Sequence, residues 1–525
     1  VQALRGRSSN FPKIKNASCS LIQAKFFSLI SMEILRFLTN PRSYPHDTAG
    51  EIKHLETHIS HIFLSGYYAY KMKKGLDLGF LDFTSLEKRK YYCEEELRLN
   101  SIFAPEIYIE VVPVYEKEGR FSFEERGEVV EYLLKMREFE QEKIFSTIVE
   151  SGDISTELFT ELARKLARIH EKADTNKEIS SYASVEQIRK IAEQNFDQTK
   201  EYIGRCISKN GFEQIQSFTL NFLEEHKSLF KKRQDSDKIR ECHGDLHLNN
   251  ICIFHDEIQF FDRIEFNKEF RNIDVVYDLA FLIMDLHFRN EHRAATRITN
   301  EYFEQTGDYE GAALLSFYAC MRAYIRGKVT SFRLDDASQD QEAIKMEAKA
   351  YFELAESYAT GEKAKLWITC GLSGSGKSTV ARRIAAKEPF LIIRSDALRK
   401  HLKGVPLYEK GPDRIYNEEV SMATYERLIE LADSLTSFGV SVILDAKFDK
   451  RKWRLKAKEL AEKEGLDFQI VHCKATPEEL KKRLKERSRD VSDADVSLID
   501  QQVGAFEGFV DEEKKYVLEA SSVNE

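Results

Sequence analysis

The sequence contains no Cys-x-x-Cys pair: its eight cysteines (Cys19, Cys93, Cys206, Cys242, Cys252, Cys320, Cys370 and Cys473) are scattered singly along 525 residues. That spacing excludes a zinc knuckle and argues against a disulfide framework, so a reducing, cytoplasmic setting is the expectation. Long apolar runs are missing as well, and no membrane span is expected. Internal repeats and low-complexity tracts are absent. A net charge of −9 and a pI near 5.9 argue against broad adhesion to nucleic acid or membranes, although a local basic groove stays compatible with that balance. Acid is missing from the first 31 residues, which are rich in Ser, Lys and Arg. Two readings fit that stretch: an organellar transit peptide, or an extension ahead of Met32, which opens the patterned helix "MEILRFL". The second is preferred.

What is present is a chain too long for one ordinary core, with 42% hydrophobic and 32% charged residues. The expected division is an extension over 1–31, one domain over 32–355, and a second over 360–525, split after the polar helical stretch 337–360. The first domain begins with a hairpin around Ser65-Gly66 and a helix over "SLEKRKYYCEEELRLNSIF", whose apolar positions include Leu86, Tyr92, Leu97 and Phe103. Further strands follow at "IYIEVVPVYEK" and "GEVVEYLLKMREF", giving a small antiparallel sheet with one helix. After residue 360, strands ("LWITC", "FLIIRS", "VSVILDA", "FQIVHC") alternate with helices, the pattern of a parallel α/β sheet.

"GLSGSGKST" satisfies G-x-x-x-x-G-K-[ST] between a strand and a helix. Its glycines let backbone N–H groups converge on phosphate oxygens at a helix N-terminus. Gly371, Ser373, Gly374, Ser375, Gly376, Lys377, Ser378 and Thr379 are the expected ATP-binding residues, with Lys377 on the β/γ-phosphates and Ser378 on Mg²⁺. Asp445 ends an apolar strand in the position of a Walker-B acid. "RSDALR" leaves Asp396 and Arg399 at the carboxyl end of another strand, where an Asp can accept a hydroxyl proton and an Arg can hold phosphate or acceptor. The competing reading makes Ser395 or Asp396 a simple helix cap. "KKRLKERSRD" carries Arg483, Arg487 and Arg489, either a basic lid over ATP, with Arg487 stabilising transferred charge, or a solvated face.

The second motif, "CHGDLHLNN", has the H-[GR]-D-x-x-x-x-N spacing of a phosphotransferase catalytic loop. Asp245 would accept or orient the acceptor hydroxyl, and Asn250 would turn back to Mg²⁺. A second metal acid is required after a short hairpin, and "ICIFHDEIQFFD" supplies Asp262. His243 is read as structural and His247 as a weaker supporting candidate. Lys71, ending the strand "YAYK", and Glu96, in "EELRLN", are the expected phosphate-anchoring pair. The alternative is an exposed strand end beside a solvated acidic helix face. A GxGxxG loop is absent, "FLSGYYAY" standing in its place. That argues for a small-molecule kinase rather than a protein kinase.

Residues 32–350 resemble the aminoglycoside phosphotransferase and choline-kinase-like family through "HGDLHLNN", "FFDRIEF" and "RNIDVVYDLAFL". The resemblance implies an α+β, bilobal, protein-kinase-like fold and a structural role for Asp278 beneath the catalytic loop. Residues 366–510 are similar to the small P-loop kinases that include polynucleotide kinase, zeta-toxin and gluconate kinase, through "GLSGSGKST", "RSDALR", "VILDA" and "RLKERSRDVSDAD". That likeness implies a P-loop NTPase fold and a base role for Asp396 with Arg399; Lys447 stands where relatives often have Thr or Asn. The whole pairing resembles bacterial fusions of the two.

The expected function is therefore a bifunctional ATP- and Mg²⁺-dependent phosphotransferase acting on small-molecule hydroxyl acceptors. One alternative makes one domain a regulatory or partner-binding module. The other makes the C-terminal domain a nucleic-acid 5′-hydroxyl kinase, which the acidic pI disfavours.

Overall fold

The computed structural model describes residues 32–79, 81–152, 154–486 and 490–521. The extension expected over 1–31 lies outside them, as does Arg487.

The chain divides into two compact units, each assembled from separate stretches. Of the described residues, one unit holds those up to Ile154 together with Lys172–Leu282 and Met321–Glu356; the other holds Ser155–Glu171, Ile283–Cys320 and those from Ser357 onward. This differs from a single cut between 355 and 360. Two segments lying in the middle of the expected first domain group with the P-loop region: Asn300 of the second bonds the backbone at Phe390 and Ile392, and Arg164 of the first bonds Glu301 and lies over the Tyr408 ring.

In the N-terminal unit six strands form one antiparallel sheet: β1 (Lys53–Glu56), β2 (Ser60–Leu64), β3 (Tyr68–Lys73), β4 (Tyr108–Lys117), β5 (Arg120–Ser122) and β6 (Glu128–Arg137), ordered β1-β2-β3-β6-β4-β5. Alternation along β3 sends Tyr70 and Met72 into a core with Phe63, Val114 and Leu133, and sends Lys71 and Lys73 to the opposite face. Helix Leu86–Phe103, capped by Ser85 accepting from the Lys88 amide, packs on β4 and β6. Of the apolar positions Leu86, Tyr92, Leu97 and Phe103, only Phe103 is fully buried; the buried face is Arg89, Cys93, Glu96, Leu99, Asn100 and Phe103. Charge goes inside here because Arg89 finds Glu131 at 2.8 Å and Glu96 finds two lysines.

Beyond this sheet, β7 (Ile239–Glu241) pairs antiparallel with β10 (Asn272–Asp274), and between them β8 (Ile251–Phe254) and β9 (Glu257–Phe260) form a hairpin. Its two-residue turn is His255-Asp256, both at positive φ, so Glu257 belongs to the strand.

In the other unit β11 (Lys365–Cys370), β12 (Leu391–Arg394), β13 (Val442–Asp445), β14 (Asp467–His472) and β15 (Val517–Glu519) form a wholly parallel sheet ordered β12-β13-β11-β14-β15. Successive connections leave β11 in opposite directions, which opens a crevice at its carboxyl end. Among the described residues no helix is long and apolar enough to cross a membrane.

Candidate active sites

The inward face of β3 and helix Leu86–Phe103 converge on one carboxylate. Lys71 Nζ donates to Glu96 Oε1 at 2.7 Å and to Asp262 Oδ1 at 2.8 Å, across sequence separations of 25 and 191 residues. Lys73 Nζ donates to Glu96 Oε2 at 2.6 Å and also to Glu265. Glu96 is fully buried, whereas Glu94 is exposed, so the acidic run presents one member inward and one to solvent. Burial alone would neutralise these groups. It pushes the Lys71 ammonium down, but Asp262 and Glu96 more than offset it and hold Lys71 well above its ordinary value. Burial likewise raises the carboxyls of Glu96 and Asp262, and the lysines bring both below the usual range.

Asp262 follows β9 in the left-handed region, at φ 62°. Its amide donates to the Tyr108 hydroxyl at 2.9 Å, and the next residue, Arg263, is locked by its amide to Asn100 Oδ1 at 2.8 Å and by Nε to the Cys242 carbonyl at 2.8 Å. One buried arginine thus ties the helix, the hairpin exit and the loop that begins at Cys242.

In that loop, Asp278 Oδ2 and Oδ1 accept the amides of His243 and Gly244 at 3.0 and 2.9 Å. His243 is fully buried, its Nε2 against the Phe261 carbonyl at 3.0 Å. Asn250 Nδ2 donates to the Asp245 carbonyl at 2.9 Å and to Asp245 Oδ2 at 3.1 Å, while its Oδ1 is buried with no hydrogen-bond partner. A buried amide oxygen left unbonded on a side chain that also meets the Asp245 carboxylate suits a hard cation. His247 Nε2 lies 3.4 Å from Asp245 Oδ2. Burial raises the Asp245 carboxyl, but His247 and the Arg326 charge hold it well below the usual range, so it stands ionised.

The second site begins where β11 ends. Gly371, Gly374 and Gly376 all have positive φ (147°, 80° and 90°), and helix Lys377–Ala385 starts at once. Lys377 Nζ donates to the Leu372 carbonyl at 2.8 Å, across its own loop, and burial lowers its ammonium below the ordinary value. Ser378 Oγ meets Asp445 Oδ2 at 2.5 Å, and Thr369 Oγ1 meets Asp445 Oδ1 at 3.0 Å. Ser375 Oγ is buried without a hydrogen-bond partner, and the Ser373 amide donates to Gln502 Oε1 at 3.0 Å. Thr379 follows in the first turn of the helix.

Asp396 and Arg399 open helix Ser395–Leu402 at the end of β12, with Arg399 Nη1 3.1 Å from Asp396 Oδ1. Neither Ser395 nor Asp396 caps the helix, whose N-cap is Arg394 with no side-chain cap bond. Arg399 is buried, its Nε has no partner, and its guanidinium lies over the Tyr416 ring at 5.2 Å. Arg483 reaches the glycine loop, its Nη1 3.7 Å from where a Cβ on Gly376 would stand.

Several functional neighbours escape the motifs. Lys73 sits two residues from Lys71, on the same face of the strand, and Glu265 lies three residues past Asp262, where no motif marks it. Arg394, just before the "SDALR" element, contacts Glu304 at 3.1 Å, Asp490 at 2.7 Å and Asp445 at 3.8 Å. Asp493 ties Lys400 Nζ at 2.9 Å, the Gly411 amide at 2.7 Å and the Tyr416 hydroxyl. Nothing local marks Gln502.

Among known proteins, the chain is 27% identical over 443 residues to the protein Rv2004c of Mycobacterium tuberculosis, covering 84% of this chain and 87% of that one. Its solved-structure neighbours include a choline/ethanolamine kinase family protein from Mesorhizobium loti, at 12% identity over 62% of this chain and 95% of the other, with a TM-score of 0.39. A gluconokinase from Sinorhizobium meliloti is similar at 20% identity over 31% and 88% of the two chains, with a TM-score of 0.23. Residues 366–509, which carry the glycine loop, Asp396, Arg399 and Asp445, match the AAA domain family.

Proposed function

We propose that this protein is an ATP-dependent phosphotransferase with two separate sites, each moving the γ-phosphoryl group of ATP to a hydroxyl acceptor. The observation that carries the reading is the convergence of Lys71, Glu96 and Asp262 from distant parts of the sequence, within the unit that also holds the Asp245–Asn250 loop. A lysine fixed by a buried glutamate is a rigid anchor for phosphate oxygens, and an ionised aspartate can orient the acceptor hydroxyl and take its proton as the new O–P bond forms. In the transfer, the acceptor oxygen forms a bond to the γ-phosphorus and the bond to the β–γ bridging oxygen breaks, releasing ADP. The hydroxyl proton passes to Asp245 in the first site and to Asp396 in the second.

Asn250 and Asp262 would hold Mg²⁺ in the first site, and Ser378 and Asp445 in the second. The unbonded Asn250 Oδ1 and the Ser378–Asp445 pair fit that role. The ion would neutralise phosphate charge. The protein's own part is positional: Lys71 and Lys377 orient phosphate, and Arg399 is available to an acceptor or transferring group.

Incubating the full chain with radiolabelled ATP and a panel of alcohols separates the sites. Asp245→Asn should lower N-terminal transfer by about 10²–10⁴ while sparing nucleotide binding, and Lys377→Ala should abolish only the C-terminal transfer. Retention of all transfer by both variants would sink the assignment. ATP turnover that never needs an acceptor would instead favour a regulatory unit.

A further inference from the structure

The stretch Met321–Phe332, the later part of helix Leu315–Phe332, belongs to the same unit as Asp245 and carries Arg322, Arg326 and Lys328. Arg322 and Arg326 are one helical turn apart and share a face. Arg322 is 8% exposed, yet its Nη2 has no hydrogen-bond partner and its Nε reaches only the Tyr277 carbonyl at 3.5 Å. Its guanidinium is stacked on two rings, 3.8 Å from the Tyr277 centroid and 4.7 Å from that of Phe281. Phe281 lies 5.4 Å from the His247 ring, and His247 is the group beside Asp245. A continuous path of contacts therefore runs from Arg322 to the proposed base. Arg326 acts on Asp245 through its charge. Lys328 is buried against two neutral amide oxygens, Asn195 Oδ1 at 2.6 Å and Gln198 Oε1 at 2.7 Å.

A buried guanidinium with no carboxylate on it is costly, because the charge has left water without a counter-charge. Stacking satisfies its faces and leaves its edge, the N–H fork that matches an oxyanion in two parallel hydrogen bonds. The positive charge around Arg322 and Arg326 also repels a cationic acceptor. We propose that Arg322, supported by Arg326, anchors an oxyanion on the acceptor of the N-terminal site, so that its substrate is an alcohol bearing a phosphate or carboxylate group. This rests on the phosphotransferase reading of Asp245.

The test is calorimetric, on the full chain with its nucleotide sites saturated by a non-hydrolysable ATP analogue and Mg²⁺. Inorganic phosphate and malonate are titrated separately, to distinguish a phosphate-bearing from a carboxylate-bearing acceptor. At least one should bind, and Arg322→Met should weaken that binding about tenfold or more, with Arg322→Lys falling between. If the methionine variant does not fold, judged by its melting curve, Arg322→Lys and Arg326→Gln carry the comparison, each expected to weaken binding severalfold. Binding of neither anion, or binding indifferent to these substitutions, would overturn the proposal. Asp245→Asn should keep anion binding while losing transfer; transfer that survives it would overturn the phosphotransferase reading and leave the anion site standing.

Discussion

At the scale of single residues, the sharpest feature is that Glu96 serves two lysines at once. Its side chain and that of Lys73 are 0% and 1% exposed, so neither charge has water as an alternative partner. Glu96→Gln leaves Lys71 with Asp262 and Lys73 with Glu265, one carboxylate each instead of two. Breaking a buried pair in this way costs about 3–5 kcal/mol, and denaturant unfolding of the full chain should register it as an earlier transition. Glu96 and Asp262 are held below the ordinary carboxylate values of 4.5 and 3.8, so unfolding takes up protons in acid. Their stabilisation is complete above those values and is lost as the pH falls through the lower folded-state values. Glu265, which burial pushes up, acts with the opposite sign and at higher pH. Melting curves recorded downward from pH 5 should therefore steepen for the wild type and stay flatter for Glu96→Gln. The Asp245–Asn250 loop and the glycine loop stand out in the sequence because the spacing of each motif is short. The burial of Lys73 and Glu265 and the rings stacked on Arg322 do not, since a lysine on a strand or an arginine on a helix has no local mark of what will cover it.

At the scale of elements, loops acquire function where the backbone leaves no room for a side chain. Gly371 has φ 147°, and a Cβ on it would stand 2.4 Å from the Cys473 carbonyl and 2.8 Å from Ser375 Oγ. Backbone on the neighbouring strand exit cannot yield as a flexible side chain can. Gly371→Ala should therefore shift the glycine loop and weaken ATP binding about tenfold or more, from strain of order 1–3 kcal/mol. Gly465 is the control. It caps helix Arg451–Glu464 at φ 62°, and the nearest atom to its Cβ position is Lys363 Nζ at 3.6 Å. Gly465→Ala should cost about 1 kcal/mol of stability and leave binding alone. Fluorescent-nucleotide titration and melting of both variants decide the matter; equal binding loss in the two would show that steric contact at Gly371 is not the cause. The periodicity that revealed strand and helix here was sound. Apolar content alone does not give the inward face of helix Leu86–Phe103, because that face carries paired charge, with Glu96 on it.

At the scale of the whole molecule, the unit that holds the P-loop is not a contiguous C-terminal piece. Its edge strand β12 is closed by helix His292–Thr306: Asn300 Oδ1 accepts the Ile392 amide at 2.6 Å, and Asn300 Nδ2 donates to the Phe390 carbonyl at 2.9 Å. An edge strand with these groups open is a template for pairing with another chain. Further contacts come from the same borrowed segments, Arg164 over the Tyr408 ring at 5.1 Å, Gln305 to the Tyr408 hydroxyl at 2.8 Å, and Glu304 to Arg394. Sequence order concealed this division, since no periodicity says which sheet a helix will cover. A fragment cut to residues 360–525 keeps every P-loop motif yet loses the cover of β12 and the Glu304 counter-charge on Arg394, itself 3.8 Å from Asp445. Such a fragment should self-associate, melt below the full chain and bind ATP more weakly. Adding Asn300→Ala to the full chain should reproduce a milder form of that loss, because the Ile392 amide of β12 and the Phe390 carbonyl just before it lose their partners at about 1 kcal/mol each. A monomeric fragment with the full chain's melting point and ATP affinity would mean that the borrowed helices are dispensable to the P-loop unit.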